Sequence, residues 1–377
     1  MLRSMLKFGA GFVFLVALGL GGLVAFAPIN PVSWSPPDAK QSPSRCENGP
    51  VLHASLLTSK LAGTPDGLDF GKDGKLYAAL STGKVVAIDP QTGLFTQFGT
   101  VPRARLTGLS IGGDGTVYAT DEVGGAVYAF APSAPTNIAP KPISGQKILS
   151  SLNGKPLQWT NDVAVTPDGT LFVTTSSQRR NLDEFYQEVL EHSGSGLLIR
   201  LNLEDQTTKS LQSALEMTNG VALSHDGNAV LVAESSAYRV SRFGFNGGKE
   251  GEVASNLPGF PGNIRRSDKS GRYWLTLLSP RNGLVDRLAG NPMARRLLVW
   301  LPESVRPKPT PFHCLIRLTE TSTGMLVQSF RIQGPKDMPS LSTAIERDGR
   351  LYITPAGLGG VERGDLYLID DTKGIDQ

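Results

Sequence analysis

From Val51 onward, short apolar runs alternate with turn residues in a unit that recurs along the chain. Its clearest copy is Asn219-Gly220-Val221-Ala222-Leu223, then His225-Asp226-Gly227, then Ala229-Val230-Leu231-Val232-Ala233-Glu234. Alternation with period two on both sides of an Asp-Gly pair predicts two antiparallel strands and a tight hairpin. Five further copies lead into strands at Leu76–Leu80, Val117–Thr120, Leu171–Thr174, Tyr273–Leu277 and Leu351–Thr354, each preceded by its own turn. A four-stranded unit repeating at about 40 residues or more predicts blades of a β-propeller, because each blade buries its faces only against its neighbours. Six copies predict an all-β, six-bladed propeller. The sixth lacks a fourth strand, and Val51 to Leu57 is unassigned, so the N-terminal strand is expected to close the ring as the outer strand of the last blade.

Before the repeat, Arg3 and Lys7 precede an uncharged, mostly apolar run from Phe8 to Ala27. As a helix the run would be roughly 30 Å long, enough to cross a bilayer. Ala25-Phe26-Ala27 also fits a signal-peptide cleavage site, but the run is long for one and Pro28 would follow the cut. The expected organisation is an N-terminal transmembrane anchor over residues 1–28, a Pro/Ser-rich linker over 29–50 and a propeller over 51–377. With Arg3 and Lys7 inside, the propeller faces the extracytoplasmic side: a periplasm, a lumen or the exterior. There Cys46 and Cys314 could pair, or remain two buried thiols.

The composition, with 43 glycines and 26 prolines, suits a turn-rich protein, and a net charge of +3 gives no case for nucleic acid. In a propeller the residues opening each innermost strand converge on the axis, and the connections between second and third strands return to that same face. Two insertions take those connections, at 176–196 and 279–313. The stretch 279–308 mixes Leu284, Met293, Leu297 and Trp300 with Arg287, Arg295 and Arg296. It reads as a membrane-surface helix pair broken at Pro292, or as an amphipathic lid.

Asn219-Gly220-Val221-Ala222-Leu223, Leu231-Val232-Ala233-Glu234-Ser235 and Leu257-Pro258-Gly259-Phe260-Pro261-Gly262-Asn263-Ile264-Arg265-Arg266 resemble the strictosidine synthase-like family, in its membrane-anchored, adipocyte plasma membrane-associated branch. Thr174-Thr175-Ser176-Ser177 and Asp348-Gly349-Arg350-Leu351-Tyr352 extend the resemblance over most of the body. The wider superfamily includes paraoxonases and gluconolactonases, six-bladed calcium-dependent hydrolases of esters and lactones. The resemblance implies an axial metal held by Asp66 as the acidic ligand and by Asn161, Asn219 and Asn263 as amide ligands. Ca²⁺ accepts many oxygen donors in irregular geometry, which suits such a set. The same residues could instead cap strand entrances. Gly262 stands where relatives commonly carry Asp, which leaves one obvious carboxylate.

The reaction so implied is hydrolysis of an ester or lactone by metal-activated water. Asp121 and Glu234, at the ends of second strands, are the candidate bases. The catalytic histidine of paraoxonases has no counterpart here; Asp121 takes the corresponding place, and His192 is a remote candidate. The glutamate that resemblance to strictosidine synthase would require is Ser342, so amine-aldehyde condensation is not expected. A nucleophile elbow is also missing. The competing expectation is a non-catalytic propeller serving as a binding or scaffolding module.

Overall fold

The computed structural model describes residues 19, 21–132, 141–357 and 362–372. Most of the expected anchor lies outside the described residues, and among those described no helix is long and apolar enough to cross a membrane. The chain divides into two compact units: a large one, and a small one drawn from residues up to Pro36, Asp183–Ser193 and Asn282–Lys308.

The large unit is an all-β, six-bladed propeller. Its innermost strands are Pro65–Phe70, Leu106–Ile111, Thr160–Val165, Thr218–Leu223, Gly259–Arg266 and Leu341–Arg347. From each of them a sheet runs outward through antiparallel neighbours, as in Thr218–Leu223, Ala229–Glu234, Arg239–Gly244 and Lys249–Ala254 of blade four. The second strands of blades one to four are buried along their whole length because neighbouring blades cover both faces. Trp274, Leu315 and Phe330 of blade five thus share one core with Leu341, Leu351 and Tyr367 of blade six. The Asp-Gly turns close with glycine in the left-handed region, at φ 77° for Gly74 and 72° for Gly227.

Closure uses two short strands. Ser55–Thr58 pairs antiparallel with Leu366–Ile369 and becomes the outer strand of blade six. Val51–His53 pairs in parallel with Gly324–Gln333, the outer strand of blade five. The single strand expected over 51–57 is therefore split at Ala54, whose N–H is held by the Gln333 carbonyl at 2.8 Å while the chain steps from one blade to the next. A Cys46–Cys314 disulfide, with Cα atoms 5.6 Å apart, ties the preceding segment to the third strand of blade five.

The small unit includes the short helices Phe185–Glu191, Gly283–Leu288 and Pro292–Leu298, with Ile29, Leu190 and Val299 buried in its core. Pro292 opens a helix there. It occupies the first turn, where a missing N–H costs nothing, and the Asn291 side chain caps the Ala294 amide.

Candidate functional site

All six innermost strands lose register at their entrance. The pairing with the second strand shifts between Pro65 and Leu68, Leu106 and Leu109, Thr160 and Val163, Thr218 and Val221, Pro261 and Ile264, and Leu341 and Thr343. A bulge releases one residue from the ladder and re-aims its side chain. Asp66, Asn161 and Asn219 take the first bulge position, together with Thr107 and Ser342. Asn263 is offset by one: in blade five Gly262 comes first and Asn263 takes the place that Gly220 has in blade four. Gly220 belongs there because a Cβ would stand 2.4 Å from the Ile264 nitrogen, so bare backbones of neighbouring blades meet at the bulge.

Hydroxyls from the second strands fix this ring. Thr120 donates to the Asn161 carbonyl at 2.6 Å, Thr174 to that of Asn219 at 2.6 Å, Thr276 to that of Ser342 at 2.6 Å and Thr354 to that of Asp66 at 2.8 Å. Each threonine lies one blade before its acceptor, so the bulges are pinned from outside the strands that contain them.

Within the ring, Asn263 Nδ2 donates to Asp66 Oδ1 at 2.7 Å and to Thr343 Oγ1 at 2.8 Å. Its Oδ1 is buried and without a hydrogen-bond partner, a costly state for an amide oxygen. Asn161 likewise commits its Nδ2, to Ser176 Oγ at 3.1 Å. Asn219 is buried at the equivalent bulge. Burial raises the Asp66 pKa; a hydrogen bond from Ser342 opposes this, the Asp162 charge adds to it, and Asn263 and Arg265 oppose it further. The structure thus joins Asp66 to Asn263 directly and sets Asn161 and Asn219 at matching bulges. Oxygen-only donors, amide nitrogens already spent and one orphaned buried oxygen fit a hard cation such as Ca²⁺. Among the described residues no three of His, Cys, Asp and Glu gather as a metal site, so such a cation would rest largely on amides.

Two residues next to the ring escaped the sequence reading. Asp162 and Arg265 form a buried bidentate pair from blade three to blade five, Nη1 to Oδ2 at 2.6 Å and Nη2 to Oδ1 at 2.9 Å. Asp162 also accepts the amides of Val163 and Val221, both at 2.9 Å, and Arg265 Nε reaches the Leu68 carbonyl at 3.2 Å. Four blades are tied together by this one pair. The available signal was a charged residue at Asp162 and at Arg265 in strands otherwise apolar at their centres.

The two candidate bases are engaged locally. Asp121 Oδ1 accepts the amides of Arg105, Val123 and Gly124 at 3.1, 3.3 and 3.0 Å, which makes it the cap of a turn. Glu234, fully buried, takes Arg239 in two bonds of 2.8 Å, the Ser241 hydroxyl at 2.6 Å and the Glu216 amide at 3.2 Å. Burial pushes its pKa up, but Arg239 and these donors outweigh that and hold it below the ordinary value. His192 belongs to the small unit, its ring stacked on Trp34 at 3.8 Å. The carboxylate that differs is Glu122, next to Asp121. It pairs with Arg105 at 2.6 Å, yet burial pushes its pKa up to about 7, with the Arg105 charge opposing and the Asp66 charge assisting.

A six-bladed propeller with an oxygen-lined, bulge-built axial site is the class of protein these features define. The strictosidine synthase family model matches residues 161–247. Adipocyte plasma membrane-associated protein of Salmo salar is 28% identical over 318 residues, 79% of this chain and 74% of that protein. Among solved structures, a gluconolactonase from Xanthomonas campestris aligns at a TM-score of 0.56 and 15% identity, over 83% of this chain and 87% of its own. A calcium-binding regucalcin from Agrobacterium tumefaciens aligns at 0.53 and 11% identity, over 85% and 95%. The chain is thus similar to the strictosidine synthase family over 161–247 and to adipocyte plasma membrane-associated protein over most of its length, and it shares its fold with those solved propellers.

Proposed function

We propose that the chain is a membrane-anchored, extracytoplasmic, calcium-dependent hydrolase of esters or lactones. The observation that carries this is the Asn263 Oδ1 atom, buried and unpaired beside Asp66. A neighbouring propeller described as calcium-binding and another described as a gluconolactonase support the choice of ion and of reaction class. The Cys46–Cys314 disulfide suits an oxidising compartment.

Asp66, Asn161, Asn219 and Asn263 would hold the ion. When bound, a divalent cation supplies Lewis-acid polarisation of the ester carbonyl. Glu122 is suited to take a proton from the attacking water, because a base works best when its pKa lies near the working pH, while Asp121 caps a turn and Glu234 is held by Arg239. Arg105 orients the Glu122 carboxylate through their 2.6 Å contact. The Thr120, Thr174 and Thr354 hydroxyls hold the ligand-bearing bulges in place before substrate arrives.

The test is turnover of aryl acetates and lactones by the detergent-solubilised chain, with Ca²⁺ and with chelator. Chelator-sensitive hydrolysis that Asn263→Ala abolishes is the expected result. Ca²⁺ binding without turnover on any such substrate points to the second reading, a non-catalytic binding module. The single carboxylate in the set, Asp66, together with Gly262 on the bulge of blade five, favours that reading.

A further inference from the structure

The small unit buries an arginine and exposes several large apolar side chains. Arg295, 1% exposed, donates to the carbonyls of Leu190 and Ala289, each at 2.8 Å, and to that of Val32. More than half of the large apolar side chains exposed among the described residues belong to this unit, Phe26 at 81%, Met293 at 64% and Trp300 at 44% among them. Met293 and Arg296 have the three-residue spacing that places side chains on one face of Pro292–Leu298, and Trp300 follows two residues past the end of that helix. Exposed apolar groups gathered in this way mark an interaction surface.

What covers that surface follows from the chain that leads into it. Trp300 Nε1 donates to the Leu23 carbonyl at 2.8 Å, and Arg296 Nη1 to the Val24 carbonyl at 3.4 Å. Leu23 and Val24 close the uncharged run Phe8–Ala27, whose length matches a bilayer core. With Arg295 buried, residues 282–308 still carry Arg287, Arg296, Arg306 and Lys308 against Asp286 and Glu303, an excess of positive charge suited to anionic headgroups. An indole beside the end of an apolar run is the arrangement that membrane interfaces favour.

We infer that this face, with Phe26, Met293, Trp300 and Arg296, is a lipid-docking surface lying in the headgroup region of an anionic bilayer. It acts independently of whether the propeller hydrolyses anything. Trp159 and Trp274 are buried in the propeller and Trp34 is half-buried against His192, so the part of lipid-borne quenching that Trp300→Phe removes reads Trp300.

The experiment reconstitutes the full chain in phosphatidylcholine and phosphatidylglycerol vesicles whose acyl chains are brominated near the headgroup. Wild type is expected to float with the vesicles and to be quenched. Trp300→Phe should lose most of the quenching with an unchanged melting temperature, and Met293→Asp should lessen it with Trp300 still in place. Failure to float, absent quenching, or quenching unchanged in both variants overturns the inference. So does a dimer that Met293→Asp dissolves while vesicle quenching is absent, since a second copy would then cover the face.

Discussion

At the scale of single residues the account turns on Asn263 and Glu122. Asn263 spends its nitrogen on Asp66 and Thr343 and leaves its oxygen bare, so Asn263→Asp, which adds a charge where the ion would sit, is expected to tighten Ca²⁺ binding. Isothermal titration of both forms reads the difference; weaker binding by the variant would count against the site. Glu122 carries the pH dependence. Folded, it keeps its proton to about pH 7, against an ordinary value of 4.5. Its contribution to stability is therefore full below pH 4.5 and is lost as pH rises through 7, a change on the order of 3 kcal/mol. Glu122→Gln should flatten the melting temperature between these limits and remove the rise in hydrolysis near pH 7. A rise of the same size in the variant would assign the proton transfer elsewhere. Asp121 and Glu122 are adjacent acids in the sequence, and nothing local separates them. In the fold Asp121 accepts three backbone amides and caps a turn, while Glu122 is buried, which raises its pKa with help from the Asp66 charge.

At the scale of elements, the innermost strands work through their bulges and through threonines on the preceding blade. Thr174→Val keeps shape but leaves the Asn219 carbonyl without its 2.6 Å partner in a buried place. The expected cost is about 1–3 kcal/mol in stability, with weaker cation binding, measurable by denaturant unfolding and calcium titration. A variant equal to wild type in both would show that the hydroxyls do not hold the ring. The strands themselves were legible, because period-two runs and Asp-Gly turns are local signals. The bulges were not, since register is a property of a pair of strands; this is why Asn263 was matched to Asn219 when it sits one position further on. The Asp162–Arg265 pair was hidden for a related reason, its partners being 103 residues apart. Pro292 was read as a break because proline ends helices from within, whereas Asn291 makes it a start.

At the scale of the whole molecule, closure depends on a short N-terminal segment held three times: by Cys46 to Cys314, by Val51–His53 to blade five and by Ser55–Thr58 to blade six. The disulfide spans 268 residues, and in the chain-entropy picture a loop of that size is worth about 5.6 kcal/mol. Reduction, or Cys46→Ser with Cys314→Ser, should lower the melting temperature by several degrees or more; an unchanged melt would mean that the strands alone close the ring. Sequence supplied the count of blades and the need for a closing strand, and left the cysteines open because pairing is decided by distance in the fold. The central claim is that the ring around Asp66 and Asn263 holds a cation, and calorimetric titration of Ca²⁺ into the purified chain tests it directly. The account predicts one ion per chain for wild type and none for an Asn263→Ala variant that still unfolds cooperatively. Heat-silent wild type, or equal binding by the two forms, would contradict it.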